Sequence, residues 1–383
     1  MDEKGRIPVF DVRLDDAQIE AVAETLRSGW LTLGPRTEAF EGQFAEHLGV
    51  GHAVALSSCT AALHLAYLAA GVGPGDEVIV PATTFVATAA AVRHCGASPV
   101  LADVLGDGDL GVDPAEVERL IGPRTKAVCA VHYGGYGAPL AELSELCAGA
   151  GVALVEDAAH SPDAIDSASG RMLGTVGLAG AFSFFSNKIL SCGEGGLLAT
   201  DSAEVAQLAR SLRSHAMTSG TWDRHRGHSL SYDVVGVGFN YRIDEPRAAL
   251  LSARLPGLGA DIAERRRLTM RYRDLLAGSP GITLPYSDEQ VASSSCYVMP
   301  VLLDDPLARD PLRKALSEHH GVQTTVLYPS ISQFSAYAET EGRVPRAESV
   351  ATRQLTLPLY PHLGDERVER VCSALTACLS STP

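Results

Sequence analysis

The strongest constraint on the fold is a regular alternation of short apolar segments with alanine-rich segments, which begins near Val54. The apolar segments have the length and residue types of buried strands, and the alanine-rich segments end in glycines suited to helix C-caps. The strand segments are AVALSS, DEVIVP, SPVLADV, KAVCAVHY, VALVEDAA and GAFSFF, and the helical segments are TAALHLAYLAAG, ATAAAVRHCG and AELSELCAGAG. This alternation predicts an α/β fold with a doubly wound, mostly parallel sheet sandwiched by helices.

The chain length predicts two domains. A chain of 383 residues exceeds the size at which one hydrophobic core usually stops growing. We expect a large domain over residues 1–250, including the N-terminal segment, and a smaller C-terminal α/β domain over residues 251–383. The smaller domain would contain the charged helix GADIAERRRLTMRYRDLLAG, a strand near CYVMPVLL and a helix near PLRKALSEHHG.

Composition argues against several classes of function. The formal net charge of -15 opposes general nucleic-acid binding, which needs clustered Lys and Arg. Because no segment approaches about 20 consecutive apolar residues and the N-terminal sequence lacks a signal-peptide core, we expect a cytoplasmic protein with no membrane partner. The 8 cysteines include no C-x-x-C pair, so no metal site is predicted.

One lysine stands out in the segment SFFSNKILSCGEGG. Lys188 follows an aromatic strand and precedes a glycine-rich turn. Phe184 and Phe185 would desolvate its amine, lower its pKa and so favour the nucleophilic form that a Schiff base requires. The alternative is an ordinary solvated surface lysine.

Two acids end the apolar strand in VALVEDAAH. In open α/β sheets the ligand lies beyond the carboxyl ends of the strands, which makes Asp157 a candidate site residue. Pyridoxal phosphate (PLP) acts as an electron sink when its ring nitrogen stays protonated, and a carboxylate usually ensures this. Asp157 fits that task, although Glu156 and Asp157 could instead cap the next helix.

Small hydroxyl residues follow the first predicted strand, in LSSCTAALHLA. Ser58, the Cys59 amide and Thr60 would form a phosphate cup at a helix N-terminus. Ordinary N-capping is the alternative interpretation of Ser58 and Thr60.

A polar and aromatic segment, MTSGTWDRHRGHSLSYDVVG, is too rich in Trp, His and Arg for a simple linker. Trp222, Arg224 and His225 are candidates to bind a diphosphate or a base, since Arg binds phosphate and Trp stacks. The alternative is an exposed arm at a dimer interface.

Together these motifs resemble the DegT/StrS-type sugar aminotransferases, a branch of the fold-type-I PLP enzymes. The resemblance covers nearly the whole chain. It rests on SGWLTLGP, SCTAALHLA, GPGDEVIVPATTFVATAAAV, VEDAAH, FSFFSNKILSCGEGG, GFNYRIDEPRAAL and TLPLYPHL, in this order.

This resemblance implies catalytic roles for Lys188, as the Schiff-base lysine and proton carrier, and for Asp157, at the pyridine nitrogen. Phe85 would stack on the cofactor ring, and His160 would contact the ring oxygen unless it is a purely structural histidine. The implied cofactor-binding residues are Ser58, Cys59, Thr60, Phe85, Asp157, His160, Ser183, Lys188 and, from a second subunit of a homodimer, Asn240.

The resemblance also implies the reaction, in which L-glutamate donates an amino group to a nucleotide-linked keto sugar. We expect dTDP-4-keto-6-deoxy-D-glucose, aminated at carbon 4, because His160 also occurs in 4-aminating relatives. Alternatives are a 3-keto nucleotide sugar, a keto-cyclitol such as scyllo-inosose, a PLP-dependent sugar dehydratase and a non-catalytic PLP-binding regulator. The candidate substrate-binding residues are Thr32, Asn187, Trp222, Arg224, His225, Arg242 and Tyr328.

Three positions depart from the family pattern. Cys59 stands where glycine is frequent, His160 where glutamine is frequent, and Tyr328 lacks the histidine that often precedes it. Substrate contacts near Tyr328 can therefore differ from those of relatives. The alanine- and arginine-rich composition also suggests antibiotic biosynthesis in an actinobacterium.

Overall fold

A computed structural model describes residues 5–218, 231–340 and 342–381 of the chain. Its main feature is a seven-stranded sheet with the order β1-β9-β8-β7-β6-β2-β3. The strands of this sheet are β1 (His52–Leu56), β2 (Glu77–Pro81), β3 (Ser98–Ala102), β6 (Thr125–Val131), β7 (Ala153–Asp157), β8 (Ala179–Ser183) and β9 (Gly196–Thr200). A short antiparallel pair, β4 (Val104–Gly106) and β5 (Asp109–Val112), lies outside it.

The direction of the strands agrees with the sequence analysis. Strands β2, β3, β6, β7 and β8 pair in parallel, whereas β9 is antiparallel to both of its neighbours, β8 and β1. All six predicted strands therefore run in the same direction. Strand β9 was not predicted, because its five residues directly follow the glycine-rich turn and carry no separate turn signal. The predicted fold class is confirmed by the mostly parallel sheet flanked by helices.

Helices cover both faces of the sheet and continue into the C-terminal part of the chain. In the ranges that the structure describes they are α1 (Asp16–Ser28), α2 (Pro35–Leu48), α3 (Cys59–Ala69), α4 (Ala87–His94), α5 (Pro114–Leu120), α6 (Leu140–Ala150), α7 (Ala203–Leu212), α8 (Glu245–Arg254), α9 (Leu258–Leu276), α10 (Asp288–Ser293), α11 (Arg309–His320), α12 (Pro345–Arg353) and α13 (Asp365–Ser381). Helices α3, α4 and α6 coincide with the predicted alanine-rich segments.

Local chemistry explains several helix starts. Asp15 and Gln18 form a reciprocal capping box at α1, and the Ser202 side chain caps α7. The start of α2 is held from a distance, because the buried Glu245 carboxylate accepts hydrogen bonds from the backbone N–H groups of Gly34 (2.9 Å) and Thr37 (2.9 Å). This contact joins α2 to the N-terminus of α8.

A second, three-stranded sheet has the order β10-β11-β12, formed by Ile282–Thr283, Met299–Leu303 and Gln354–Leu357. It lies entirely C-terminal to position 250, which falls within α8. The N-terminal segment bonds to this part of the chain, since the N–H of Ile7 donates to the Gly321 carbonyl (2.9 Å). The division into domains at residues 1–250 and 251–383 stays a prediction.

In the described ranges, no helix is both long enough and apolar enough to cross a membrane. All eight cysteines lie in the described ranges, where they are buried and form no disulfide.

Candidate active site

A cavity of about 410 Å³ lies at the carboxyl ends of the sheet strands. This is where an open α/β sheet is expected to bind its ligand. The structure brings ten of the predicted site residues together there: Ser58, Cys59, Thr60, Phe85, Asp157, His160, Ser183, Asn187, Lys188 and Tyr328.

Lys188 lies in the turn after β8, where its backbone N–H donates to the Phe185 carbonyl (2.8 Å). Burial lowers the pKa of Lys188 to about 8, while the nearby Cys59 and Asp157 act in the opposite direction. The two phenylalanines before it have different environments, because Phe185 lines the cavity and Phe184 is buried in the core. The simple interpretation as a solvated surface lysine does not agree with this environment.

Asp157 ends β7 and is buried at the base of the cavity. Its carboxylate accepts hydrogen bonds from the Thr88 hydroxyl (2.7 Å) and from the Ala159 N–H (3.2 Å). Burial raises the pKa of Asp157, while these hydrogen bonds and the charge of Lys188 oppose the rise. The Thr84 hydroxyl lies 2.8 Å from that of Thr88 and extends the chain of polar contacts.

Glu156 has a different function from Asp157, because successive side chains of a strand point to opposite faces. The Glu156 carboxylate accepts from His132 Nε2 (2.9 Å) and from three backbone N–H groups in residues 174–177. Burial acts to raise its pKa, but these hydrogen bonds outweigh burial, and the pKa of Glu156 is lowered. Glu156 therefore stabilises a loop, and Asp157 is the acid of this pair that lines the cavity.

The phosphate cup predicted from sequence lies at the N-terminus of α3. The Ser58 hydroxyl accepts from the Ala61 N–H (3.1 Å), so Ser58 acts as an N-cap. No acidic residue occupies the first turn, and Cys59 and Thr60 line the cavity. Gly196 passes so close that a Cβ atom there would lie 2.2 Å from the Ser58 carbonyl carbon and 2.3 Å from the Cys59 nitrogen.

His160 and Tyr328 form a directed hydrogen-bond chain at the edge of the cavity. The Gly134 N–H donates to His160 Nδ1 (3.1 Å), and His160 Nε2 lies 3.0 Å from the Tyr328 hydroxyl. Burial and the charge of Lys188 lower the pKa of His160 well below its usual range, so the imidazole is neutral. Its proton must be on Nε2, which donates to Tyr328. The hydroxyl hydrogen of Tyr328 is then available to a ligand.

Sequence reasoning missed two contributors to the site. Thr88 lies within the motif GPGDEVIVPATTFVATAAAV, which does not distinguish it from its neighbours, and Tyr297 lies in the predicted strand segment CYVMPVLL. The Tyr297 ring stacks on His160 with 4.4 Å between ring centroids, and Lys188 Nζ lies 4.5 Å from its centroid. No local sequence signal marks Tyr297, because its position results from packing between distant segments.

Several other predicted residues do not line the cavity in this chain. Thr32 lies in the connection between α1 and α2, and Arg242 lies just before α8. Asn240 is exposed, and its predicted contribution to the site of a second subunit stays a prediction. Trp222, Arg224 and His225 fall outside the described residues.

The residues present fit PLP. A lysine and a carboxylate share the cavity with a helix N-terminus and an aromatic side chain, which match the aldehyde, ring nitrogen, phosphate and ring face of this cofactor. The Asn187 Oδ1 atom is buried without a hydrogen-bond partner in the described part of the chain, so the cavity also offers an unused acceptor.

The sequence profile of the DegT/DnrJ/EryC1/StrS aminotransferase family matches residues 12–376. The chain belongs to this family. It is 37% identical over 369 residues to the spore coat polysaccharide biosynthesis protein SpsC of Bacillus subtilis (strain 168), covering 94% of this chain and 93% of SpsC. Its fold is similar to that of the aminotransferase TlmJ from Streptoalloteichus hindustanus, with 38% identity, a TM-score of 0.89, and coverage of 99% of this chain and 100% of TlmJ.

Two further relatives of similar fold were solved with a cofactor or in the presence of a product. The fold is similar to the PLP-form of the putative sugar aminotransferase Spr1654 from Streptococcus pneumoniae, with 25% identity, a TM-score of 0.90 and coverage of 98% and 99%; Spr1654 was also solved in a PMP-form. It is also similar to DesI, solved in the presence of its TDP-sugar product, with 30% identity, a TM-score of 0.87 and coverage of 98% and 94%. The prediction that the chain is a PLP-dependent sugar aminotransferase is confirmed.

The close approach of Gly196 to the phosphate cup gives a direct test of that cup. In Gly196→Ala, the added Cβ would force the Ser58–Cys59 backbone away, and we expect PLP affinity to fall by about tenfold or more. PLP titration followed by absorbance measures this. Gly149→Ala in α6 is the control, because nothing lies within 4 Å of its added Cβ, and its PLP affinity should stay unchanged. Equal affinities of Gly196→Ala and the parent protein would place the phosphate elsewhere.

Proposed function

We propose that the enzyme transfers the amino group of L-glutamate to a nucleotide-linked keto sugar, with dTDP-4-keto-6-deoxy-D-glucose aminated at carbon 4 as its substrate. The observation that carries the proposal is the convergence of Lys188 and Asp157 on one cavity in a chain of this family. Similarity to DesI, solved with a TDP-sugar product, supports a nucleotide-linked sugar. The choice of carbon 4 rests on His160 and on the family resemblance.

The side chains of the cavity divide the chemistry between them. Bound PLP supplies an electron sink for the charge that develops at the reacting carbon. Asp157 would hold the ring nitrogen in its protonated form. Lys188 would hold the cofactor between turnovers, and its pKa near 8 lets the released amine take up and return a proton close to neutral pH.

Tyr328 is proposed to orient the sugar. Its hydroxyl accepts from His160, so its own hydrogen can be donated to a sugar oxygen in the cavity. The Phe85 ring lies beside it, with 5.4 Å between ring centroids. These aromatic groups would also exclude water from the reacting atoms.

The alternatives predict different residues or products. By the resemblance, dehydratases of this scaffold carry histidine at the position of Lys188, so the lysine supports amino transfer. The retained Lys188 and Asp157 argue against a non-catalytic regulator. A 3-keto nucleotide sugar or a keto-cyclitol would use the same residues, and a substrate panel distinguishes them.

We place the reaction in the cytoplasm, and the composition supports a role in antibiotic sugar biosynthesis.

The function is tested by following the visible absorbance of the PLP-loaded enzyme. L-Glutamate should bleach the band of lysine-bound PLP, and one keto substrate should restore it while an amino product of matching mass appears. The panel contains a dTDP-4-keto sugar, a 3-keto nucleotide sugar and scyllo-inosose. Restoration by the dTDP-4-keto sugar supports the proposal. Restoration by scyllo-inosose alone would overturn the nucleotide-sugar assignment, and no bleaching by any amino donor would overturn the aminotransfer reaction.

Removing the Tyr328 hydroxyl tests its contact with the sugar. In Tyr328→Phe we expect the KM for the keto sugar to rise about tenfold, the effect of losing one hydrogen bond, with a much smaller change in the glutamate half-reaction. Stopped-flow absorbance separates the two half-reactions. Tyr337→Phe, at a tyrosine that does not line the cavity, is the control. An equal loss in both half-reactions would contradict a contact specific to the sugar.

We also propose a homodimer whose active sites are shared. Phe85 and Phe185 are 53% and 43% exposed at the entrance of the cavity in the single chain. Val235 and Val237, close to Asn240 in sequence, are 66% and 91% exposed. A second copy covering these side chains would bring Asn240 to the phosphate of the neighbouring site, as the resemblance implies.

Mixing two inactive variants tests the shared site. Lys188→Ala lacks the lysine, and Asn240→Ala should be inactive at low PLP concentration because the phosphate loses a contact. Co-refolded in equal amounts, they should recover about a quarter of the parental activity at that PLP concentration. About half of the dimers are then mixed, and one of the two sites in each mixed dimer is intact. No recovery, despite mixed dimers detected by native mass spectrometry, would place Asn240 outside the neighbouring site.

A further inference from the structure

Tyr297 is fully buried two residues before β11, where it contacts two residues that line the cavity, Lys188 and His160. Lys188 Nζ lies over its ring, 4.5 Å from the centroid. His160 stacks against the same ring at 4.4 Å with an interplanar angle of 24°. Phe10 stacks on it as well, at 5.5 Å and 15°. Three side chains from distant parts of the sequence thus converge on one ring.

The backbone fixes this ring relative to His160. The Tyr297 N–H donates to the Gly134 carbonyl (2.9 Å), while the Gly134 N–H donates to His160 Nδ1 (3.1 Å). On the other side, the buried Arg265 guanidinium donates to the carbonyls of Tyr297 (3.4 Å) and Leu359 (3.0 Å). The position of the ring is therefore set by contacts that do not depend on a ligand.

The electrostatic effect of such a ring on an amine has a definite sign. An aromatic face is negative, so it stabilises a cation, and the stabilisation is largest where water is excluded. The other titratable groups around Lys188 are the Asp157 carboxylate, the Cys59 thiol and the neutral His160, and Glu194 and Tyr328 also line the cavity. Burial favours the neutral form of the Lys188 amine, whereas the ring favours its ammonium form.

We propose that Tyr297 is a positioning residue for Lys188, which holds the amine beside His160 and stabilises its ammonium form through the ring face. The importance of this for catalysis rests on the proposed function, in which Lys188 carries the proton. The effect on the lysine itself exists without cofactor or substrate, so it can be measured separately.

The test compares Tyr297→Leu with Tyr297→Phe in the cofactor-free, full-length protein. Leucine keeps an apolar side chain but removes the ring, whereas phenylalanine keeps the ring and removes a hydroxyl that has no hydrogen-bond partner among the residues described. Brief acetylation at a series of pH values, followed by mass spectrometry of the peptides, gives the apparent pKa of Lys188. Lys126 and Lys314, both exposed, are internal references.

In Tyr297→Leu we expect the apparent pKa of Lys188 to fall by about one unit, with the reference lysines unchanged. In Tyr297→Phe it should stay within a few tenths of a unit of the parent value. An unchanged or raised value in Tyr297→Leu, or an equal fall in Tyr297→Phe, would overturn the proposal. If Tyr297→Leu does not fold by circular dichroism, Tyr297→Met takes its place with the same expectation.

The outcome is independent of the proposed reaction. If the pKa shifts as expected but glutamate does not bleach the PLP-loaded parent enzyme, the role of Tyr297 stands and the proposed function fails. If glutamate reacts and the pKa does not shift, the proposed function stands and the role of Tyr297 fails.

Discussion

The site depends on shielding one amine, that of Lys188, and one carboxylate, that of Asp157, from water at the same edge of the sheet. Asp157 ends β7 and Lys188 lies in the turn after the neighbouring strand β8, and burial opposes the charged form of each. Burial consequently lowers the pKa of Lys188 to about 8 and raises the pKa of Asp157. The surrounding structure supplies the compensation, through the Thr88 hydroxyl for the carboxylate and the Tyr297 ring for the amine.

The side chains on the two faces of strand β7 have different functions. Asp157 faces the cavity, and Glu156, one residue earlier, binds backbone N–H groups on the opposite face and fixes the loop at residues 174–177. At the neighbouring strand end, Gly196 lets β9 pass against the start of α3. The predicted phosphate cup is therefore packed against Gly196, which follows the turn that carries Lys188, so a change at Gly196 would disturb both.

Much of this could be predicted from sequence, because strand ends and glycine-rich turns are local signals. They identified the parallel strands, Lys188, Asp157 and the start of α3. What sequence could not give depends on contacts between distant segments. Strand β9 is defined by its antiparallel pairing with β1 and β8, and Tyr297 is placed beside Lys188 by packing against Phe10 and His160. The direction of the His160–Tyr328 hydrogen bond depends on a backbone N–H at Gly134.

We propose Lys188 as the residue that binds PLP covalently. The chain contains four lysines, Lys4, Lys126, Lys188 and Lys314, which makes the claim directly measurable. Borohydride reduction of the PLP-loaded enzyme followed by peptide mass spectrometry should place the phosphopyridoxyl group on the Lys188 peptide, at close to one group per chain. A group distributed over Lys126 and Lys314, or an unlabelled Lys188 peptide in protein that shows the PLP absorbance band, would contradict this role of Lys188.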